Sequence, residues 1–439
     1  MAGRFWQSVV LFAALAPAAF ATTTCGDGSQ CPESTPCCSQ YGECGVGAYC
    51  LGGCDPVNSF SLDACVPAPV CESKSFTFDN LDGMVENTKY LGDASTADWV
   101  YSGTPLSHNG SVLLTMAEDT VGTLLASTHY IWYGKVTGKF STSAGAGVVT
   151  AFILLGDSKD EIDFEFVGVE LSIAQTNFYS QGVTDYDNGE NATGLADVHA
   201  NVHTYEIDWS YDNITWSVDG NVVRTLNRED TWNATANRYF YPQTPSRLQL
   251  SLWPGGLSTN GQGTIDWAGG LVTWDSPYMT NGYYYATFDE VSIQCYDPPS
   301  GAQENGTKSY IYTDKAMTNN TVEITSDNTV LKSFLGTGLN MSASSASASA
   351  SGSAATSNVA TVPGLTGSGS GASGDRGDNS SSSVDSSSTA TATGSASTGF
   401  VQGDGGSSSG ADQFGGNSES LLRGSLFAVV VAMVGLCVL

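Results

Sequence analysis

Basic residues are scarce in this chain of 439 residues. Fifteen lysines and arginines stand against 44 aspartates and glutamates, so the formal net charge is −29 at pH 7. This excess of negative charge argues against nucleic acid and against anionic lipid headgroups as partners, because both are polyanions. A neutral polymer such as a polysaccharide is compatible with it.

Long apolar runs are also missing, and the two apolar stretches near the ends are too short for an ordinary membrane-spanning helix of about 20 residues. The first, Val9 to Phe20, follows Arg4 and contains the small-x-small sequence Ala19-Phe20-Ala21. This order is typical of a cleaved secretory signal peptide. We therefore expect residues 1–21 to be removed from a secreted protein.

The second apolar stretch runs from Leu426 to Leu439 and follows a short polar spacer and a group of small residues. That order is typical of a signal for a glycosylphosphatidylinositol (GPI) anchor, whose hydrophobic tail is removed. Gly416 is the expected attachment residue, with Asn417 as the alternative, and residues 417–439 are the expected propeptide. The sequence thus predicts a protein anchored to the outer face of the plasma membrane.

Serine, glycine, alanine and threonine dominate the region before this signal, from residue 342 to 416. Such a composition cannot bury enough apolar area to offset the entropy of ordering it, so we predict a disordered, O-glycosylated stalk. Asn-x-Ser/Thr sequons agree with secretion and predict N-glycosylation. They lie at Asn109, Asn191, Asn213, Asn233, Asn305, Asn319, Asn340 and Asn379.

Cysteine is concentrated at the start of the chain, with nine of the eleven residues between Cys25 and Cys71. In a secreted segment this density predicts a small module stapled by disulfides. A zinc site is the alternative, but the segment has no histidine. Cys295 and Cys437 lie far away, and Cys437 is expected to leave with the propeptide.

The spacing of these cysteines, with the adjacent pair Cys37-Cys38, resembles that of hevein-like chitin-binding modules (carbohydrate-binding family 18). The resemblance covers about Cys25 to Cys65 within an expected module at residues 22–71, and it implies the bridges Cys25–Cys38, Cys31–Cys44 and Cys37–Cys50. Four cysteines, Cys54, Cys65, Cys71 and Cys295, allow three pairings, of which we favour Cys54–Cys65 with Cys71–Cys295.

The hevein-like resemblance also implies that Ser39, Tyr41 and Tyr49 hold N-acetylglucosamine. Glu43 stands where a third aromatic residue is usual, and the loss of an aromatic face should weaken sugar binding. The alternative is a structural module that no longer binds sugar.

No long helical period occurs in residues 72–297. Short runs rich in β-branched residues alternate with turn signals, and Asp219-Gly220 separates two such runs as a hairpin turn would. About 220 residues of this kind predict one β-sandwich or jelly roll, so the fold class is all-β. Residues 298–341 are expected to form an extension.

The segment Asp160-Glu-Ile-Asp-Phe-Glu-Phe166 alternates acidic and apolar residues. On a strand, Glu161, Asp163 and Glu165 project from one face. No basic residue offsets their repulsion. A solvated acidic strand face is one explanation, but a buried strand precedes the segment and indicates a position inside the sheet. Glycoside cleavage with retention needs two carboxylates of this kind, a nucleophile and a general acid/base.

The segment from Glu161 to Glu165 resembles the catalytic signature of glycoside hydrolase family 16. Flanking segments match the same family: Tyr133-Gly-Lys-Val-Thr-Gly-Lys139, Gly147-Val-Val-Thr-Ala-Phe152, Gln175-Thr-Asn177, His203-Thr-Tyr-Glu-Ile-Asp-Trp209, Ile214-Thr-Trp-Ser-Val-Asp-Gly220, Leu252-Trp-Pro-Gly-Gly256 and Ile265-Asp-Trp-Ala-Gly269. With the module, the stalk and the GPI signal, the chain resembles fungal CRH-type transglycosylases, which crosslink chitin to β-1,6- and β-1,3-glucan of the cell wall.

That resemblance implies roles for individual residues. Glu161 is the nucleophile, Glu165 the general acid/base, and Asp163 a modulator that holds the nucleophile through a hydrogen bond. The residues expected to contact sugar are Gln175, Asn177, His203, Arg224, Trp216, Trp253 and Trp267. It further implies a monomer without cofactor, located at the plasma membrane or attached covalently to the cell wall. The sequence identifies no metal site.

Two other functions use the same features. An endo-hydrolase, either a β-glucanase or a chitinase, would employ the same carboxylates and pass the sugar to water. A non-catalytic lectin or adhesin on a stalk would be expected to lack one of the three acids, and none is missing.

Overall fold

The computed structural model describes residues 23–26, 28–344 and 359–363. The predicted signal peptide, the GPI signal with Gly416 and Asn417, and the sequon at Asn379 lie outside these residues. No helix in the described ranges is long and apolar enough to cross a membrane.

The described residues are almost entirely β, as the sequence predicts, and their single α-helix, α1, spans Gln262–Trp267. Short 3₁₀ helices occur at Gly47–Cys50, Leu62–Ala64, Tyr186–Asn188, Arg228–Thr231 and Asn319–Thr321. The first twelve strands are β1 (Cys37–Cys38), β2 (Cys44–Gly45), β3 (Ala68–Pro69), β4 (Lys74–Thr77), β5 (Met84–Glu86), β6 (Trp99–Ser102), β7 (Pro105–His108), β8 (Ser111–Ala117), β9 (Thr123–Ser127), β10 (Gly134–Ser141), β11 (Val148–Gly156) and β12 (Glu161–Val167). The remaining strands are β13 (Ile173–Tyr179), β14 (Glu190–Thr193), β15 (His203–Trp209), β16 (Asn213–Val218), β17 (Asn221–Asn227), β18 (Trp232–Asn233), β19 (Arg238–Tyr239), β20 (Ser246–Pro254), β21 (Tyr283–Cys295), β22 (Gln303–Glu304), β23 (Ser309–Tyr312) and β24 (Val322–Thr325).

Two eight-stranded sheets form a β-sandwich. The first has the order β17-β16-β15-β10-β21-β8-β7, with β4 also paired to β21. The second has the order β14-β13-β12-β11-β20-β9-β6-β5. A smaller sheet, β22-β24-β23-β3, joins the segment before the sandwich to the extension after it.

The period-two pattern of β12 decides which of its faces is buried in the sandwich. Ile162, Phe164 and Phe166 lie in the core between the sheets, where Phe166 packs edge-on against Phe140 and Tyr205 of the first sheet. Strands β11 and β13 pair with β12 on its two sides. The acidic strand is therefore inside the sheet, and its carboxylates project from the face opposite the core.

Five disulfides hold the described part of the chain. They are Cys25–Cys38, Cys31–Cys44, Cys37–Cys50, Cys54–Cys65 and Cys71–Cys295. These are the three bridges that the hevein-like resemblance implies and the two bridges of the pairing that we favour. The last bridge fastens the start of the sandwich to the end of β21.

The small module does not stand apart from the rest of the molecule. Its core is shared with Tyr90 of the sandwich and Leu331 of the extension, and the Gly338 amide donates to the Ala64 carbonyl. Residues 359–363, which fall inside the predicted stalk, also pack here, since the Val46 amide donates to the carbonyl of Ala360. The predicted stalk therefore includes a short segment, residues 359–363, that offers backbone carbonyls to the module.

Candidate active site

The three acids of β12 define what we call the carboxylate face, the face of the second sheet opposite the core. Register places Tyr179, Asn177 and Gln175 of β13 opposite Glu161, Asp163 and Glu165. On the other side, Leu155, Ile153 and Ala151 of β11 occupy the corresponding positions. Arg247, Gln249 and Ser251 of β20 follow them in the same three rows. On this face, the apolar residues of β11 therefore separate the polar residues of β12 and β13 from those of β20.

The acids are nearly closed off from solvent. Glu161 is 6% exposed, Asp163 1% and Glu165 2%. Removing a charged carboxylate from water is costly, so such burial favours the protonated form. A solvated acidic strand face, the alternative explanation of the sequence pattern, does not describe these residues.

Glu161 and Asp163 act as a hydrogen-bonded pair. Burial raises the pKa of Glu161 to about 7, while the hydrogen bond with Asp163 lowers it. The pKa of Asp163 is raised well above its usual value, first by burial and then by the charges of Glu161 and Glu165. Of the two, Asp163 therefore loses its proton last: when Glu161 ionises, Asp163 keeps its proton and donates it towards the Glu161 carboxylate.

Asp160, just before the strand, has a different task. Its carboxylate accepts hydrogen bonds from the backbone amides of Gln181, Gln243 and Thr244 and from the Thr244 hydroxyl. The carboxylate thus fixes the start of β12 to two loops. Asp160 is therefore structural, and the candidate catalytic acids are Glu161, Asp163 and Glu165.

Four predicted sugar-binding residues come together around the acids. Gln175 and Asn177 lie next to Glu165 and Asp163 through strand pairing. The Trp267 indole donates to the Gln175 side-chain oxygen over 2.8 Å and stacks with Trp253 at 6.0 Å between ring centroids. Both tryptophans are partly exposed, so they offer aromatic surface beside Glu165, the last of the three acids on β12.

Sequence reasoning missed a polar row on β20. Gln249 is fully buried, and neither its side-chain oxygen nor its nitrogen has a hydrogen-bond partner. The Ser251 hydroxyl and the Trp253 indole nitrogen, at the next two positions of this face, are unpartnered as well. Buried polar atoms usually find partners inside the protein, so these unpartnered atoms are candidates for hydrogen bonds to a ligand. The period-two alternation of Arg247, Gln249 and Ser251 was the signal for them.

The prediction that Trp216 lines the sugar site is wrong. Trp216 is fully buried in the core between the sheets. Its indole nitrogen donates to the backbone carbonyl of Asp163 over 2.9 Å. Trp216 therefore supports the acidic strand from behind, because strand β16 belongs to the opposite sheet.

Arg224 and His203 are also structural, contrary to prediction. Arg224 is buried and donates to the carbonyls of Thr176 and Asn188, with its guanidinium over the Trp216 ring. His203 is 7% exposed and contacts Asp219 through Nδ1 at 2.7 Å. Their polar groups are occupied by the protein, so neither faces the carboxylates as a sugar ligand.

The three module residues expected to bind sugar lie together, but not on an open face. Ser39, Tyr41 and Tyr49 line a pocket that is completed by residues of the second sheet. Tyr49 is fully buried. Burial raises the pKa of its hydroxyl, and the charge of the neighbouring Glu43 carboxylate raises that pKa further. Glu43 thus faces the module interior.

The described residues show one cluster of potential metal ligands, the sulfurs of Cys25, Cys31 and Cys38. All three are in disulfides, so this cluster cannot supply thiolates. Seven of the eight sequon asparagines are described, and none of the seven is buried. Their glycosylation stays a prediction.

Comparison with known proteins gives matches over most of the chain. The family model for glycosyl hydrolases family 16 matches residues 93–269. Crh-like protein 3 of Botryotinia fuckeliana is 60% identical over 98% of this chain and 99% of its own length. Congo red hypersensitive protein 2 of Saccharomyces cerevisiae is 48% identical over 73% of this chain and 69% of its own.

Among solved structures, a Crh5 transglycosylase in complex with NAG is similar. It is 29% identical, with a TM-score of 0.50, and the match covers 62% of this chain and 99% of that one.

Proposed function

The chain belongs to the Crh-like proteins of glycosyl hydrolase family 16, and on that premise we propose that it is a retaining transglycosylase. Its donor is chitin and its acceptor is β-1,6- or β-1,3-glucan, so it crosslinks the two polymers of a fungal cell wall. One observation carries the proposal: Glu161, Asp163 and Glu165 lie in one row on an interior strand, nearly closed off from water.

The first step forms a covalent intermediate. The Glu161 carboxylate attacks the anomeric carbon of the donor, and the glycosidic bond breaks while Glu165 gives its proton to the leaving oxygen. Asp163 keeps its own proton and stabilises the Glu161 carboxylate through the hydrogen bond. The donor chain is then joined to Glu161 as an ester, and Glu165 is ionised.

The second step returns both acids to their starting states. Glu165 takes a proton from an acceptor hydroxyl, and the oxygen of that hydroxyl attacks the anomeric carbon. The ester bond breaks and Glu161 leaves as a carboxylate. The acceptor attacks the anomeric carbon from the face opposite to Glu161, so this second inversion restores the original stereochemistry. The same step with water gives hydrolysis, so the ratio of transfer to hydrolysis depends on how well the bound acceptor excludes water from the three acids.

Two elements support the choice of acceptor over water. The partly exposed Trp253–Trp267 stack lies beside Glu165, where an acceptor sugar could stack, and the Gln175 side chain, bonded to Glu170 and Trp267, holds the Trp267 indole in place. The very low exposure of the acids also limits free access of water. An enzyme that builds a wall gains little from degrading it.

The experiment incubates the secreted protein with a chitin oligosaccharide and a fluorescent β-glucan oligosaccharide. A labelled product larger than the acceptor is expected. Only shortened chitin products would identify an endo-hydrolase instead, and unchanged sugars with retained binding would identify a lectin.

We further propose that the mature protein is a GPI-anchored monomer at the cell surface or in the wall. The signal-like ends of the sequence and the sequons support this location. Cleavage by a phosphatidylinositol-specific phospholipase should release the protein from intact membranes; a protein already soluble without the enzyme contradicts the anchor.

A further inference from the structure

A pocket lies between the small module and the sandwich. The module contributes Ser39 and Tyr41 to its lining, and the second sheet contributes Val100, Ala126 and Arg247. Tyr41 is partly exposed. The pocket is therefore shared by the two parts of the molecule.

Strand register connects this pocket to the acids. Asp163 pairs with Ile153, Ile153 with Gln249, and Gln249 with Ala126. Ala126 in turn pairs with Val100. These residues form one row across the carboxylate face. From β12 to β9 the row crosses three strand spacings, about 14 Å, so an extended sugar chain bound at the acids and lying along the row reaches the pocket.

The module is held firmly at this place. Arg247 donates to the Gln40 side-chain oxygen over 3.0 Å, and the Gly53 amide donates to Asp157 over 3.0 Å and contacts the Tyr130 hydroxyl. A Cβ atom at Gly52 would come within 2.5 Å of the Arg247 guanidinium. The module therefore meets the sheet at close range and forms a fixed wall of the pocket.

The pocket has the polarity of an acetamido group. Asn87 and Arg247 line the pocket, and the Asn87 side-chain oxygen and the Arg247 Nε are buried without a hydrogen-bond partner. One accepts and the other donates, as an amide N–H and C=O require. Leu124, Ala126 and Val100 supply apolar surface for a methyl group. A glucose residue lacks both the amide and the methyl.

We propose that this pocket is a distal donor subsite that recognises an N-acetylated sugar of the chitin chain. Gln249 lies between the acids and the pocket, beneath the intervening part of the bound chain. This inference rests on the proposed function and deepens it. It makes the module part of the donor cleft, whereas a separate chitin anchor would need an open sugar-binding face.

The test compares short and long ligands. In the Glu161→Gln background, which prevents turnover, calorimetry measures the affinity for chitobiose, which is too short to reach from the acids to the pocket, and for a chitin octamer. Tyr41→Ala and Asn87→Ala should each lower the ratio of octamer affinity to chitobiose affinity about tenfold, or 1.4 kcal/mol. Phe60→Ala is the matched control, because Phe60 is exposed on the module and does not line the pocket; it should leave the ratio unchanged.

Three outcomes overturn the subsite: an unchanged ratio in both variants, an equal loss of affinity for both lengths, or a β-glucan octamer that loses as much affinity as the chitin octamer in Asn87→Ala. Failure of the proposed function is separate and visible in the otherwise unmodified enzyme, which would then transfer no chitin oligosaccharide to glucan. If the enzyme transfers the octamer and the variants keep the affinity ratio, only the subsite is wrong.

Discussion

Two groups of buried polar side chains, one in each sheet of the sandwich, differ in their hydrogen-bond partners. In the first sheet, the Trp216 indole donates to a carbonyl, Arg224 to two carbonyls, and His203 contacts an aspartate. On the carboxylate face of the second sheet, the amide of Gln249 and the hydroxyl of Ser251 are equally buried but have no protein partner. Burial and polarity alone therefore do not identify a ligand contact; the missing partner does.

That difference has an energetic meaning. A buried polar group that is satisfied within the protein stabilises the fold, whereas one without a partner costs about 1–3 kcal/mol. The contacts of Trp216, Arg224 and His203 thus stabilise the fold, whereas Gln249 and Ser251 carry a cost that ligand binding would offset. Substitutions in the two sheets should separate stability from activity.

The largest effect is expected from the nucleophile of the second sheet. Glu161→Gln keeps the size of the side chain but removes the attacking carboxylate, so transfer should fall by roughly 10⁴-fold or more. Initial rates with a chitin donor and a labelled glucan acceptor measure it. Glu206→Gln, on β15 of the first sheet, is the matched control and should retain activity. Full activity of Glu161→Gln would reject the mechanism.

Asp163 should show a smaller loss that depends on the replacement. Asp163→Asn keeps a neutral hydrogen-bond donor for Glu161, whereas Asp163→Ala loses it, so the alanine variant should be slower than the asparagine variant by about tenfold, the worth of one hydrogen bond to a charged group.

The pH dependence gives a second measure of the same pair. Glu161 must be ionised to attack, and its pKa is raised to about 7, so activity should fall as the pH drops below 7. Because protonated aspartic acid and asparagine are both neutral, Asp163→Asn should keep this limb where it is. A shift of a full pH unit would show that Asp163 is ionised at rest.

Gln249 tests the unpartnered side of the comparison. Gln249→Leu replaces a buried amide without partners by an apolar group of similar size, so the free energy of unfolding should stay the same or rise by about 1 kcal/mol. The KM for the chitin donor should rise about tenfold. Thermal unfolding and kinetics on the same sample measure both. A clear loss of stability would mean that the Gln249 amide is satisfied within the protein.

Much of this architecture was predictable because the sequence patterns have a strict period. The alternation from Glu161 to Phe166 predicts a strand with acids on one face, and the structure has β12 at Glu161–Val167. The all-β class follows from the same kind of pattern. The disulfide pairing of the module is different, because cysteine spacing alone leaves the connectivity open and only the resemblance to hevein-like modules implies the three bridges.

Other features depend on contacts that no local pattern encodes. Trp216 alternates on its strand as a cleft residue would, but only the stacking of the two sheets decides that it points into the core. Gln249 alternates with leucines on β20, but its lack of partners appears only when β11 and β9 are in place. Residues 359–363 pack on the module although the surrounding composition predicts disorder, because a short apolar stretch, Val359-Ala-Thr-Val-Pro363, is diluted by its neighbours.

The smallest effect on activity should come from Trp216, whose partners are all internal. Trp216→Phe removes the hydrogen bond to the Asp163 carbonyl and leaves a cavity, so the free energy of unfolding should drop by about 2 kcal/mol. Transfer per folded molecule should fall only a few-fold, with the KM for donor unchanged, because the indole contacts β12 from the core and no sugar. Denaturant unfolding and kinetics below the melting transition separate the two quantities. A raised KM with unchanged stability would move Trp216 to the sugar site and remove the contrast between the sheets.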